Sequence, residues 1–493
     1  MGSITRVLTS EAPRPRAIRE HPWAPWMAVG VVCFGAFMGQ LDASIVTLAF
    51  PALQRQFGVS LAGVQWVSLV YLLVLVALLI PIGRWSDRSG RKLLYTYGFV
   101  VFSLASVGCG LAPSLDALIG FRVIQAIGAA MLQANSIALV STSVAPHLRR
   151  KALGIQAMAQ AAGLALGPTA GGIIVAASSW RWVFLINPPV GVVAIILGIY
   201  MLPRTKHRAE GSGADLPGVV LLGTSVAGLL LALSVASGLH LGLAAVIGLV
   251  VVAVGAAVGL VWWERRSASP MIDGSLLSAP GVARGLGGAL LAYMILFGPL
   301  VLYPQVFDAL RGGVTASTGF ILTALPAGFA VAAVAAERVL PAGWSDYARC
   351  WIGGAITILG AGLLAFITPS PGVTAALLAV LGIGLGVYIP ANNAQIMGAV
   401  PPSSSATMGG MLNMGRGIGT AFGVALVTLS LYLVHSTGSL QDRVISGGRL
   451  TMIALGVCAV LATLASAIKS SGGTDGGHPV SESVHRGLNP ENL

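Results

Sequence analysis

Apolar residues in this chain fall in long runs separated by short polar stretches. A helix needs about 20 predominantly apolar residues to cross a bilayer core. By that measure the pattern predicts six spans near 27–51, 61–83, 93–113, 115–142, 152–177 and 180–202. A polar linker at 203–216 precedes two further spans near 217–237 and 239–263, and a loop runs to about 282. Six more are expected near 283–308, 315–336, 349–369, 372–397, 406–434 and 449–468. The Gly-, Ser- and charge-rich end reads as disordered. The expected fold is therefore all-α and membrane-integral, with about 14 transmembrane helices. Its parts would be an N-terminal tail (1–26), a six-helix bundle (27–202), a linker with two inserted helices (203–282), a second six-helix bundle (283–468) and a tail (469–493).

Composition supports this reading. Of 493 residues, 56% are hydrophobic and only 9% are Asp, Glu, Lys or Arg, against about 25% charged in soluble proteins. So few charges cannot cover a water-facing surface, which excludes a soluble enzyme, a disordered chain and a secreted disulfide scaffold. Cys33, Cys109, Cys350 and Cys458 stand singly in apolar segments, as packing residues do. No metal site or cofactor motif accompanies them. The net charge of +12 does not form a basic face with stacking aromatics, so nucleic acid is not an expected partner. Instead the basic residues sit in short loops. With both termini cytoplasmic, only Arg55, Arg181, Arg311, Arg443 and Arg449 are left for outer loops, the asymmetry of the positive-inside rule. Residues 1–25 lack the apolar core of a signal peptide, so the first span is expected to direct insertion into the cell membrane.

Within the spans, Asp42 is the acidic residue that stands out. A carboxylate at a bilayer centre costs about 2.5–3.5 kcal/mol and needs a partner, water or a proton. Asp42 precedes the outer end of the first span by roughly 13 Å and Arg122 follows the outer end of the fourth by roughly 10 Å, at 1.5 Å per residue. The two are thus expected at similar depth, with Asp42 exchanging a coupling proton and Arg122 setting its affinity. A static ion pair is the alternative. His21, His147, His207, His240, His435, His478 and His485 all fall in loops, tails or near span ends, which argues against a histidine relay. Gln125, Asn135, Gln156, Asn392, Asn413 and Arg416 are polar span residues that either line a central cavity or bond a neighbouring helix. A cavity of that composition suits amphipathic small molecules, and Arg416 in it would favour neutral or anionic ones over dications. No phosphate-binding loop and no H-E-x-x-H or G-x-S-x-G occurs, so the chain is expected to be a gradient-driven transporter and not an enzyme. Trp85-Ser86-Asp87 recurs as Trp344-Ser345-Asp346, each after the second helix of a six-helix half. That repeat suggests duplicated halves around a midplane site.

Several segments resemble a known family. Gly83-Arg84-Trp85-Ser86-Asp87-Arg88-Ser89-Gly90-Arg91-Lys92 is similar to the loop motif G-x-x-x-D-R-x-G-R-K of the major facilitator superfamily. Gly83 and Gly90 allow tight turns there, and Asp87 can cap the next helix or pair with Arg88 or Arg91. Leu41-Asp42 through Phe50-Pro51, with Ser44 and Thr47 where the pattern has Thr and Asn, resembles the first span of the fourteen-helix drug:proton antiporters. So do Arg122 through Ala130 and Trp180 through Pro188. Gly154, Gly163, Gly167-Pro168 and Gly171-Gly172 fit that branch's fifth-span antiporter motif. The resemblance implies the major facilitator fold and a bacterial proton-driven exporter of antibiotics or other amphipathic molecules, functional as a monomer. A nutrient importer of the same superfamily is the alternative.

Overall fold

A computed structural model describes residues 11–467, apart from 60, 207, 209–214, 237–242, 268–269, 271–273, 280, 312–315, 342, 368–369 and 435–439. The tail at 469–493, read above as disordered, lies outside the described residues, as do His207, His240 and His435. Among the described residues every regular element is helical. The long helices of the first half are α1 (Ala24–Ile45), α2 (Leu61–Ser89), α3 (Arg91–Leu111), α4 (Leu115–Ser143), α5 (Arg149–Ala177) and α6 (Asn187–Met201). Next come α7 (Leu216–Ala236) and α8 (Leu243–Glu264). The second half holds α9 (Val282–Arg311), α10 (Ala316–Val339), α11 (Asp346–Phe366), α12 (Pro371–Ala399), α13 (Ser405–Leu433) and α14 (Leu440–Ala467). Twelve helices contain a described stretch long and apolar enough to cross a membrane.

Three boundaries differ from the apolar pattern, each for a local reason. The first span ends early: α1 stops at Ile45, a 3-10 turn follows, and Pro51 opens a separate short helix, Phe50–Phe57. Proline lacks an N–H, so it suits the first turn of a helix better than its interior. The sixth span is likewise broken, into Trp182–Leu185 and α6, because Pro188 and Pro189 follow Asn187. Finally, α14 starts at Leu440, so Arg443 and Arg449 belong to its first turns and not to an outer loop. Arg311 similarly closes α9.

The two halves pack by one plan. In the first, α1 lies against α5 and α6, α2 against α4, and α3 against α4 and α6. In the second, α9 lies against α13 and α14, α10 against α12, and α11 against α12 and α14. The halves meet along α2–α13 and α5–α10, with α4 also touching α13 and α12 touching α5. The inserted pair packs on itself, and α7 leans on both α2 and α13. Asp215 ties that pair together, accepting from the Trp263 indole at 2.7 Å and from the Gly218 N–H at 3.0 Å. Leu222, Val226 and Leu230 of α7 join the first half's core, while Val250, Val251, Val254, Val258 and Val261 of α8 face outward.

The end that holds the starts of α1, α3, α5 and α13 carries most of the loop arginines and is called the basic end below. There Glu11, almost fully buried, receives the Lys92 N–H at 3.1 Å and the Thr205 hydroxyl at 2.8 Å. Those bonds tie the N-terminal segment and the linker after α6 to the first turn of α3. Helix contact elsewhere depends on missing side chains. A Cβ on Gly163 would run into the Phe37 carbonyl of α1, and one on Gly167 into Ser44. Gly163→Val should therefore lower stability by about 1–3 kcal/mol, read as a lower thermal midpoint in detergent. Gly248→Val in α8, where nothing lies within 4 Å, should leave the midpoint unchanged.

Candidate functional site

Asp42 lies in the last turn of α1 and is 1% exposed. Its Oδ2 receives Arg122 Nη1 of α4 at 2.8 Å, so the similar depths expected for the two residues become a direct ion pair. Its Oδ1 accepts from Gln125 Nε2 at 3.1 Å and from Asn187 Nδ2 at 2.9 Å. Arg122 is held in turn by the Gln125 carbonyl oxygen at 2.7 Å and the Val67 backbone carbonyl at 3.0 Å. Its guanidinium stacks 3.9 Å from the Tyr71 ring centroid. Ser106 of α3 completes the group, accepting from Gln125 at 2.8 Å. Carboxylate and guanidinium thus neutralise each other, and amides satisfy the remaining lone pairs, as a buried pair requires. Gln125 belongs to this network and does not line the cavity, the second of the two outcomes left open for it. Asn187 was missed as a site residue. Its signal was the Trp180–Pro188 stretch, and the Pro-induced break before α6 is what brings its amide to Asp42.

At the basic end a second carboxylate, Asp87, is buried in the last turn of α2. Arg91 forks onto it with Nε at 2.9 Å and Nη2 at 2.7 Å. The helix that Asp87 caps is not the next one but α13. It accepts the Ala406 N–H at 2.9 Å, the Thr407 N–H at 2.7 Å and the Thr407 hydroxyl at 2.8 Å. A negative charge at a helix start is favoured by the unpaired N–H groups and the dipole. Arg91 also donates to the Pro402 carbonyl. Gly83 is required because a Cβ there would strike the Ala406 carbonyl, and Gly90 because its φ is +118°. Arg88 is half-buried in the same turn as Asp87.

A matching latch joins the other seam. Arg150, in the first turn of α5, donates to Glu337 of α10 and to Asp346 at 2.6 Å, and Arg349 reaches Glu337 at 3.2 Å. Glu337 stands two residues before the end of α10, as Asp87 stands two before the end of α2. It is therefore the structural counterpart of Asp87. The repeated tripeptide is not: Trp85-Ser86-Asp87 closes α2, whereas Ser345 caps the start of α11 by accepting the Ala348 N–H at 3.3 Å.

The fifth-span glycines divide between two contacts. Gly163 and Gly167 face α1, whereas a Cβ on Gly154 would meet the Ala333 carbonyl of α10 across the seam. Gly171 is buried along the same helix; Pro168 and Gly172 lie in α5, but their side-chain environment is outside the described residues.

Between the halves is a cavity of about 280 Å³, lined mainly by Leu72, Leu75, Leu79, Phe297, Leu300 and Phe329, with Arg122, Asn413 and Arg416 among its polar residues. Gln40, Gln133 and Gln160 also line it and were not anticipated, although each is an amide inside an apolar run. Asn135, Gln156 and Asn392 do not line it. Asn135 bonds the Ser86 hydroxyl and the Met131 carbonyl, the latter at 2.8 Å, and Asn392 donates to the Gly285 carbonyl of α9 at 2.9 Å. These two tie helices together, the other outcome left open for them. Gln156 is buried on α5.

Two six-helix halves packed by one plan, a cavity between them and closed latches at one end define a polytopic membrane transporter. The model of the Major Facilitator Superfamily matches residues 32–424, and the chain belongs to that family. It is 28% identical over 449 residues to the riboflavin transporter RibZ of Clostridioides difficile, covering 88% of this chain and 95% of RibZ. It is 32% identical over 402 residues to the multidrug resistance protein Stp of Mycobacterium tuberculosis, covering 80% of this chain and 73% of Stp. The methylenomycin A resistance protein of Streptomyces coelicolor is 29% identical over 443 residues, with 88% and 90% covered. Among solved structures, the human organic anion transporter MFSD10 (TETRAN) superposes with a TM-score of 0.66 at 15% identity, over 91% of this chain and 100% of that one. The chain is thus a multi-pass membrane transporter of small molecules, not an enzyme.

The Asp87 latch has a measurable consequence. Asp87→Asn removes the charge that Arg91 and the start of α13 share, and should weaken closure of the basic end by about 1–2 kcal/mol, a five- to thirty-fold population shift. Spin labels at the exposed positions His147 and Trp344, on opposite halves, should report it as added long-distance population in pulsed electron resonance.

Proposed function

We propose that the protein exports amphipathic small molecules, antibiotics among them, from a bacterial cytoplasm in exchange for protons, by alternating access between its two halves. The basic end faces the cytoplasm in this reading, which puts both termini inside and follows the positive-inside rule. The observation that carries the proposal is the Asp42 network. It is a buried carboxylate whose ionised form is held by one cation and two amides from α4 and α6. Protonating Asp42 removes the charge that Arg122 answers. Arg122 also lines the central cavity, so proton occupancy at Asp42 and substrate occupancy in the cavity act on the same guanidinium. Coupling follows, because a ligand moves an equilibrium only by its differential interaction with two states. The latches at the basic end are the element that must open in the other state, and Gly154 permits the close approach of α5 and α10 that seals it. The chain carries this out as a monomer, each half supplying one wall.

Drug efflux is favoured over import by the relatives named for multidrug and methylenomycin A resistance. The similarity to a riboflavin transporter over most of both chains supports import as the second reading. One charge moving through 100 mV gains about 2.3 kcal/mol, enough for roughly a 50-fold gradient of a neutral substrate.

Inside-out vesicles separate the readings: an exporter accumulates substrate and dissipates an imposed pH gradient, and an importer does neither. Asp42→Asn should abolish proton-driven accumulation while leaving substrate binding within about tenfold, since the cavity wall keeps Arg122. Undiminished proton-driven transport by that variant would remove Asp42 from the mechanism.

A further inference from the structure

We infer that the central cavity selects amphipathic anions, seating a carboxylate, phenolate or similar acceptor group on Arg416. The inference rests on the transporter reading above and names its substrate class. Arg416 lies midway along α13, is 7% exposed and lines the cavity. Its Nη1 donates to Gln160 Oε1 of α5 and to Asn413 Oδ1, each at 3.0 Å. Its guanidinium lies 4.9 Å from the Tyr293 ring centroid. All three partners are neutral. Its Nε has no hydrogen-bond partner, and no carboxylate of the described residues forms an ion pair with it.

Arg122, the other cation on the wall, differs in this respect because Asp42 compensates it. No Asp or Glu among the described residues lines the cavity, so its wall carries one positive charge without a counterion. A guanidinium cannot escape by losing its proton, and a buried charge without a partner is strongly disfavoured in a low-dielectric setting. An anion entering the cavity supplies the missing partner, whereas a cation adds repulsion.

A second set of atoms points the same way. Tyr71 and Ser68 of α2 are lining residues, and their hydroxyl oxygens are buried without partners. With Arg416 Nε they are three unpaired donor atoms in residues of the cavity wall, contributed by both halves. The leucines and phenylalanines of the wall take the apolar body of the same molecule. A ligand that binds both halves through one anionic group and one hydrophobic body is matched to this lining.

The test uses two xanthene dyes of similar shape and opposite charge, fluorescein and rhodamine 6G, with the protein in lipid nanodiscs at pH 8. Fluorescence anisotropy should show fluorescein bound at least about tenfold more tightly, the scale of one charge-assisted contact. Arg416→Gln should erase that preference and Arg416→Lys should keep part of it. Gln160→Glu places a carboxylate beside Arg416 and should reverse the preference. It leaves every cation in place, so it reads out even if Arg416→Gln fails to fold. Absence of fluorescein binding, equal or tighter binding of rhodamine 6G, or an unchanged preference in Gln160→Glu would overturn the inference. The same dyes in proteoliposomes under a pH gradient distinguish its failure from that of the export reading. Selective fluorescein binding without gradient-driven movement leaves the cavity assignment standing and removes proton coupling. Gradient-driven movement of rhodamine 6G in preference does the reverse.

Discussion

Inside a membrane, every charge must find its answer within the protein, and the Asp42–Arg122 pair is where this chain meets that demand most fully. The carboxylate draws in Arg122 and Gln125 of α4 and Asn187 of α6, with Ser106 of α3 behind them. Four helices of the first half are therefore fixed around one anion. That arrangement also determines what the second half presents. Arg122 reaches the cavity already neutralised, so the uncompensated charge there belongs to Arg416, on the opposite wall. The two halves are alike in packing and unlike in electrostatics: one holds a self-contained ion pair, the other a cation awaiting a partner.

The basic end obeys the same rule with different parts. Asp87 answers Arg91 and the backbone N–H groups that open α13, while Glu337 and Asp346 answer Arg150 at the opening of α5. In each seam a carboxylate near the end of one helix meets positive charge at the start of a helix from the other half. In one case that charge is a dipole, in the other a side chain. Closure at this end is thus electrostatic, and small residues at Gly83 and Gly154 let the backbones come close enough for it.

Much of this was legible in the sequence, for physical reasons. Lipid demands long apolar runs, so the helices and their order could be read directly. A lone intramembrane carboxylate demands a cation, so the depth of Asp42 and Arg122 predicted their meeting. The loop near 398–405, at the basic end before α13, shows where sequence reading stops. It carries no charge. The positive partner of Asp87 is instead the pair of backbone N–H groups, Ala406 and Thr407, that open α13 just after this loop, and a backbone dipole leaves no mark on composition. Polar span residues were equally ambiguous. Nothing in the identity of Gln125 or Asn392 tells whether an amide faces a cavity or a neighbouring helix; only the rotation of the helix decides. Three identical letters, Trp-Ser-Asp, pointed to duplicated halves without being structural equivalents, because the likeness of the halves is one of helix packing and Glu337 takes the place of Asp87 in a different local sequence.

The placement of α7 bears on how molecules can reach the cavity from the side. By leaning on α2 and α13 together, it roofs one of the two clefts between the halves, with α8 outside it toward lipid. A compound already dissolved in the surrounding leaflet finds that flank shuttered. The inserted pair thus makes the two flanks unequal, covering the α2–α13 seam and leaving the α5–α10 seam to its own close packing.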